Sequence, residues 1–114
     1  MYKVYLISSE INNNKLYKIG YTRRQVESRI REFKTGNASS FDIVDIFESK
    51  WGTKIERHLH NHFKYCKVEG EWFNISEDKL KNFKRICEIT HNNFELIETY
   101  NTYVIDRGGL QKIK

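Results

Sequence analysis

Proline is absent from this 114-residue chain, cysteine occurs only twice, and no apolar run approaches the ~20 residues of a membrane span. Without proline, helix starts and turns have to be read from Ser, Thr, Asn and Gly. Cys66 and Cys87 are too few for a disulfide framework and fit a reducing compartment. The N-terminus lacks the charged-then-apolar pattern of a secretory leader. A membrane is therefore not an expected partner. A cytoplasmic location is expected, with the nucleus or a viral factory open for a eukaryotic or viral source. No internal repeat, low-complexity segment or clear linker divides the chain.

What is present is a composition that can fold and carry charge. Hydrophobic residues make up 39% of the chain and sixteen side chains are aromatic, enough for a single domain with its own core. The formal net charge is +5. Basic side chains release condensed counterions when they meet phosphates, so a nucleic-acid partner fits, although solubility accounts for such a charge almost as well.

Residues 2–7 and 15–20 are rich in Tyr, Val and Ile and predict an antiparallel hairpin, with the polar run Ser8–Asn14 as its turn. Thr22-x-x-Gln25 has the form of a capping box and places a helix start at Arg23; Val26, Ile30 and Phe33 form its apolar stripe and Gly36 its end. A third strand is expected from Phe41 to Glu48, and a second helix from about Thr53 to Tyr65 that buries Ile55, Leu59 and Phe63. Glu69-Gly70-Glu71 reads as a turn that returns Trp72 and Phe73 to the core, with Trp72 closing the end of the sheet. Ser76 caps a third helix along Leu80, Phe83, Ile86 and Cys87. The expectation is an α+β fold of order β-β-α-β-α-α: a small antiparallel sheet with flanking helices. Residues 1–90 form the domain, and residues 91–114 a helical extension with a break at Arg107-Gly108-Gly109 and a basic tail. At this size recognition is expected to come from a partner, or from a homodimer formed through residues 90–114.

Several side chains carry chemistry in this pattern, each beside a plainer use. Tyr5 on the first strand can orient or deprotonate a water if a cation or base lowers its pKa; it is otherwise an ordinary strand tyrosine. Arg29 lies at the edge of its helix's apolar stripe, where its guanidinium can aim at a phosphate or pair with Glu32. Arg23, Arg24, Arg31 and Lys34 are expected to be solvated or to touch a nucleic-acid backbone without sequence preference. Glu56 either completes a capping box with Thr53 or, if the helix begins nearer Trp51, is free to hold a divalent ion. His60 lies one turn further on the same face. His58, His60 and His62 alternate and point three ways on a helix, so they cannot share one ion. His62, Cys66, Cys87 and His91 form two i,i+4 pairs that would make a zinc site only if two helices brought them together.

Lys3-Val4-Tyr5, Lys18-Ile19-Gly20, Arg29, Glu56 and Glu71-Trp72-Phe73, in this order, resemble the GIY-YIG nuclease superfamily. The Lys-Ile-Gly form points to its small branch from phages, large DNA viruses and bacteria, named for a meiotically up-regulated yeast gene. The resemblance covers roughly residues 2–75. It implies a metal-dependent DNA endonuclease using one Mg2+ or Mn2+ ion. Tyr5 would stand for the first-motif tyrosine, Arg29 for the arginine on the scissile phosphate and Glu56 for the metal ligand. The first glycine is here Lys3 and the second-motif tyrosine is Lys18. Tyr17 or Tyr21 lies beside that gap; alternatively Lys18 neutralises phosphate charge, with Tyr5 or His60 as the base. The alternative is a nucleic-acid-binding module on the same fold with weak or no cleavage.

Overall fold

The computed structural model describes residues 1–33 and 40–106. Strands β1 (Tyr2–Ile11) and β2 (Asn14–Thr22) are longer than the sequence pattern suggests, and the turn between them is only Asn12-Asn13. Both asparagines take positive φ, 53° and 67°. That left-handed pair matches the right-handed twist of the flanking strands, so a two-residue turn suffices. Ser8 and Ser9, expected in the turn, instead extend β1 and are buried.

Thr22 remains in β2, paired with Lys3, so it cannot open a helix at Arg23. Its Oγ1 accepts from the Arg24 amide at 3.1 Å and forms a local turn instead. Helix α1 therefore begins later, at Val26, and runs only to Ile30. The expected helix end at Gly36 lies outside the described residues, as does Lys34. Strand β3 (Asp42–Ser49) pairs with β1, with a register shift between Leu6 and Ile7. Helix α2 (Gly52–His62) starts from Trp51, and a 3-10 turn follows at Lys64–Cys66.

A second hairpin was not foreseen. Strands β4 (Lys67–Glu69) and β5 (Trp72–Phe73) pair around Gly70, whose φ of 56° favours glycine. Three and two residues are too few to show alternation in sequence. Ser76 does cap the next helix, its Oγ accepting from the Lys79 amide, but that helix splits into α3 (Glu77–Leu80) and α4. Helix α4 runs from Phe83 to Asp106 without interruption. The fold is the expected α+β type, with a five-stranded antiparallel sheet in the order β3-β1-β2-β5-β4. No described helix is long and apolar enough to cross a membrane.

Alternation along the central strands divides the core between two faces. Val4, Leu6, Tyr17 and Ile19 meet Ile55 and Leu59 of α2, Phe63 just after it, and Phe83 and Cys87 of α4. On the opposite face Tyr5 and Ile7 pack against Val26, with Phe33 and Phe41 at the margin. Helix α4 is held by polar contacts as well: Trp51 Nε1 donates to Glu95 Oε2 at 2.8 Å, and Ser49 Oγ lies 2.7 Å from His91 Nδ1.

The same alternation corrects the expectation for Trp72. Neighbouring residues of a strand face opposite ways, so Phe73 takes the fully buried position beside Tyr17 while Trp72 stays half-buried beside Lys18. The Trp72 ring stacks on Phe41 at 6.1 Å, with the Lys18 ammonium 5.6 Å from its centre. Phe73→Ala is expected to cost about 3–5 kcal/mol in chemical denaturation, and Trp72→Ala clearly less. Equal losses would mean that both rings carry the core.

Candidate active site

Tyr5 is positioned by Gly20, its cross-strand partner in the β1–β2 ladder. The Tyr5 ring lies over the Gly20 Cα, and a Cβ there would sit 2.6 Å from Cζ of the ring. Only glycine leaves room for a phenol to cross the strand at this point. Tyr5, Gly20, Tyr21, Arg29, Glu56 and Glu71 then line a cavity of about 310 Å³. Four elements contribute: β1, β2, α1 and α2, with Glu71 from the β4–β5 turn.

The cavity opens where the sheet loses a strand. β5 pairs only with Tyr17 and Lys18, so β2 has no strand neighbour on that side from Ile19 onward. The Ile19 carbonyl lies 2.8 Å from His60 Nε2. A carbonyl can only accept, so Nε2 carries the proton. The same nitrogen lies 3.3 Å from Glu56 Oε2, one turn back on α2. His60 therefore orients Glu56 and closes the sheet edge. Its Nε2 is unavailable as a base toward the cavity, which corrects that part of the sequence expectation.

Glu56 occupies the fifth position of α2, because the helix starts from Trp51 rather than Thr53. No side-chain cap bond forms at that start, and Glu56 is half-buried against the cavity. Burial pushes its carboxyl above the ordinary carboxylate value; His60 opposes this and the nearby Glu71 charge adds to it. Burial also raises the Tyr5 hydroxyl, against the lowering pull of the Arg29 guanidinium. Tyr5 thus stays protonated at neutral pH and serves as a hydrogen-bonding group.

Arg29 lines the cavity and also makes the plainer contact anticipated for it, with Nη1 2.9 Å from Glu32 Oε1. Arg24 shares that carboxylate at 2.7 Å. Exposed pairs of this kind are worth little and exchange readily for a phosphate. Arg23 donates to the Tyr2 hydroxyl at 2.7 Å and Arg31 to Ser28 Oγ at 3.1 Å, so neither lines the cavity. Lys18 is not a cavity-lining residue; it stands between the Phe33 and Trp72 rings and bonds Glu71 at 2.9 Å.

Glu71 and Tyr21 also line the cavity; the sequence pattern placed Glu71 only within the Glu71-Trp72-Phe73 motif and Tyr21 only beside the second-motif gap, with no role in the site for Glu71. Glu71 reaches the cavity only because the β4–β5 hairpin pairs beside Lys18, and nothing in its neighbours signals that pairing. The suggested zinc arrangement is not formed. His62 ends α2 while Cys66 lies in the following 3-10 turn, so they do not share a helix face, and His91 is engaged by Ser49. Cys87 is fully buried in the core, and burial pushes its thiol up to about 12. Among the described residues no three His, Cys, Asp or Glu side chains are grouped to hold a metal by themselves.

The family model that matches the chain is the T5orf172 domain, over residues 2–88. The chain belongs to the T5orf172 domain family. That family carries a nucleic-acid-related role, which the chain takes with it. The assignment to the GIY-YIG superfamily is corrected by this match, since no GIY-YIG match accompanies it. It rested on the order of short motifs and single residues, among them Arg29 and Glu56, with lysine at two of the defining motif positions, Lys3 and Lys18. No curated protein and no solved structure matches the chain.

The raised Glu56 carboxyl has a consequence for stability. The folded protein holds that proton more tightly than the unfolded chain does. This contribution is complete below the unfolded pKa and is lost as pH rises through the folded value. Ionised Glu56 is then a net cost at neutral pH. Without divalent cations, Glu56→Gln is expected to melt at the same or a higher temperature than wild type at about pH 7.5. The difference should shrink as pH falls and vanish towards about pH 3, below the ordinary glutamate value, where the carboxyl is protonated in both states. A large loss of melting temperature at neutral pH would show instead that the Glu56–His60 contact dominates.

Proposed function

We propose that this T5orf172 domain is a divalent-metal-dependent endonuclease that hydrolyses DNA phosphodiester bonds at a single-metal site. The observation that carries this reading is the meeting of Arg29, Tyr5 and the half-buried Glu56 in one cavity at an open sheet edge. The donor set fits Mg2+ or Mn2+. Such ions bind through one or two carboxylates and complete their shell with waters and phosphate oxygens, so an all-protein cage is not required. Glu56 would hold the ion, with Glu71 as the nearest further carboxylate. When bound, the ion supplies charge for the phosphate and lowers the pKa of a water.

The chain's own groups account for the rest. Arg29 releases Glu32 and presents its planar fork to two phosphate oxygens, offsetting charge as it develops. Tyr5 keeps its proton and orients a water or phosphate oxygen by hydrogen bonding, held in place by Gly20. His60 fixes the Glu56 carboxylate through its bond to the Ile19 carbonyl. Lys18 adds positive charge behind Glu71 and limits the cost of two carboxylates near one another. Arg23, Arg24 and Arg31 lie outside the cavity and suit contacts to flanking phosphates.

One observation favours a second reading, a nucleic-acid-binding module with weak or no cleavage. Tyr5 is held protonated and His60 Nε2 is committed to a carbonyl, so neither is poised to accept the water's proton. A plasmid-nicking assay separates the two. Wild type is expected to nick DNA in Mg2+ or Mn2+ and not in chelator. Glu56→Gln and Arg29→Ala should each lose about 10²–10³-fold, the scale of removing one transition-state contact. Arg24→Ala should cut normally at saturating DNA and lose affinity in a salt-dependent way. Mg2+ should also raise the melting temperature of wild type and not of Glu56→Gln. No cutting in either metal, with DNA binding that survives Glu56→Gln, gives the protein to the binding-module reading.

A further inference from the structure

A second and larger cavity, about 410 Å³, lies on the other side of α2 from the Glu56–His60 face. Lys54, Arg57, His58 and Asn61 line it from α2, and Phe94 from α4. The four α2 residues recur at i, i+3, i+4 and i+7, which places them on one stripe of the helix. Ile55 and Leu59 form the buried stripe, and Glu56 and His60 the stripe that faces the first cavity. A single helix thus offers an acidic face to one cavity and a basic face to the other.

The basic stripe differs from the arginines around α1. Arg24 and Arg29 are both neutralised by Glu32. Among the described residues neither Lys54 nor Arg57 makes a salt bridge, and no carboxylate lines their cavity. Phe94 supplies a fixed apolar wall. Its ring is stacked on Trp51 at 5.3 Å, Trp51 is bonded to Glu95, and the Lys54 ammonium lies 5.5 Å from its centre. Two cations, an amide and an anchored aromatic ring suit a nucleotide unit: phosphate for Lys54 and Arg57, sugar or base against Phe94, and Asn61 for a polar edge. Arg57 directly follows Glu56, and its charge is felt by the Glu56 carboxyl. A chain leaving the first cavity across α2 meets this stripe next.

We propose that the groove between α2 and α4 is a second nucleic-acid subsite, which binds the phosphodiester chain beyond the bond held at Glu56. This rests on the reading of the protein as one that acts on DNA, and it names where the flanking strand runs.

The test measures binding to fluorescent single-stranded and duplex oligonucleotides in chelator over a salt series, using the full chain. Lys54→Gln/Arg57→Gln should flatten the slope of log affinity against log salt by about 0.7–0.9 for each contact removed. Phe94→Leu should lower affinity and leave the slope unchanged. Lys79→Gln/Lys81→Gln, at the end of α3 and just after it, carries the same change in net charge and should have much the smaller effect. An unchanged slope in the groove variant, or equal effects from the groove and α3 pairs, overturns the subsite. Circular dichroism melts confirm that each variant is folded; if Phe94→Leu is not, the two charge pairs decide. Nicking by wild type reports on the first cavity separately, so cleavage with no slope change refutes only the second subsite. Wild type that neither binds nor cuts refutes both.

Discussion

The Ile19 carbonyl is a strong acceptor at a place where the sheet offers it no strand partner. β5 is two residues long and stops at Lys18, so the edge of β2 is open from Ile19 onward. A buried or half-buried carbonyl left without a donor is costly, and His60 supplies one. That bond ties α2 to the sheet edge, sets the proton on Nε2, and places Glu56 beside the gap. A longer β5 would satisfy Ile19 and cover the cavity. The same shortness that makes the second hairpin hard to read leaves the first cavity accessible.

Glu56 shows how a helix boundary decides between two uses of one side chain. A start at Thr53 would place it where a capping box needs a carboxylate. The observed start from Trp51, fixed by packing of Gly52 against Tyr2 and of Trp51 against Phe94, moves it into the first full turns. There the carboxylate is held by burial against its own ionisation, with His60 and Lys18 reducing the cost. A group in that condition gains from a cation, which is why a carboxylate with raised pKa in a cavity is a candidate for function rather than a structural accident.

Charge is distributed by partner rather than by count. The arginines in and around α1 look like the basic surface, yet Glu32 pairs with two of them, Arg24 and Arg29. Lys54 and Arg57 are less conspicuous in sequence and have no such partner among the described residues. Helix α2 separates its side chains into three stripes, one apolar, one acidic with an imidazole, and one basic, and each meets a different neighbour. An eleven-residue helix can do this because 3.6 residues per turn brings every third or fourth position back to the same side.

Local rules were enough for some of this. The hairpin and β3, the apolar face of α2 at Ile55, Leu59 and Phe63, the cap at Ser76 and the α+β class all follow from alternation, helical period and short-range hydrogen bonding. The grouping of Tyr5, Arg29 and Glu56 was also legible as an expectation from motif order, although the family inferred from that order was not the one the chain matches. Other features depended on contacts far apart in sequence. The two-residue turn at Asn12-Asn13 is set by how far the strands keep pairing. The late start of α1 follows from Thr22 remaining in the ladder, the place of Glu71 from a hairpin five residues long in its strands, and the role of His60 from a missing strand neighbour. Sequence by itself determined which residues can form strands and helices, because those preferences are local. Tertiary structure decided which backbone groups went unpaired and which side chains came to serve them, because hydrogen-bond satisfaction is settled only when the whole sheet has closed.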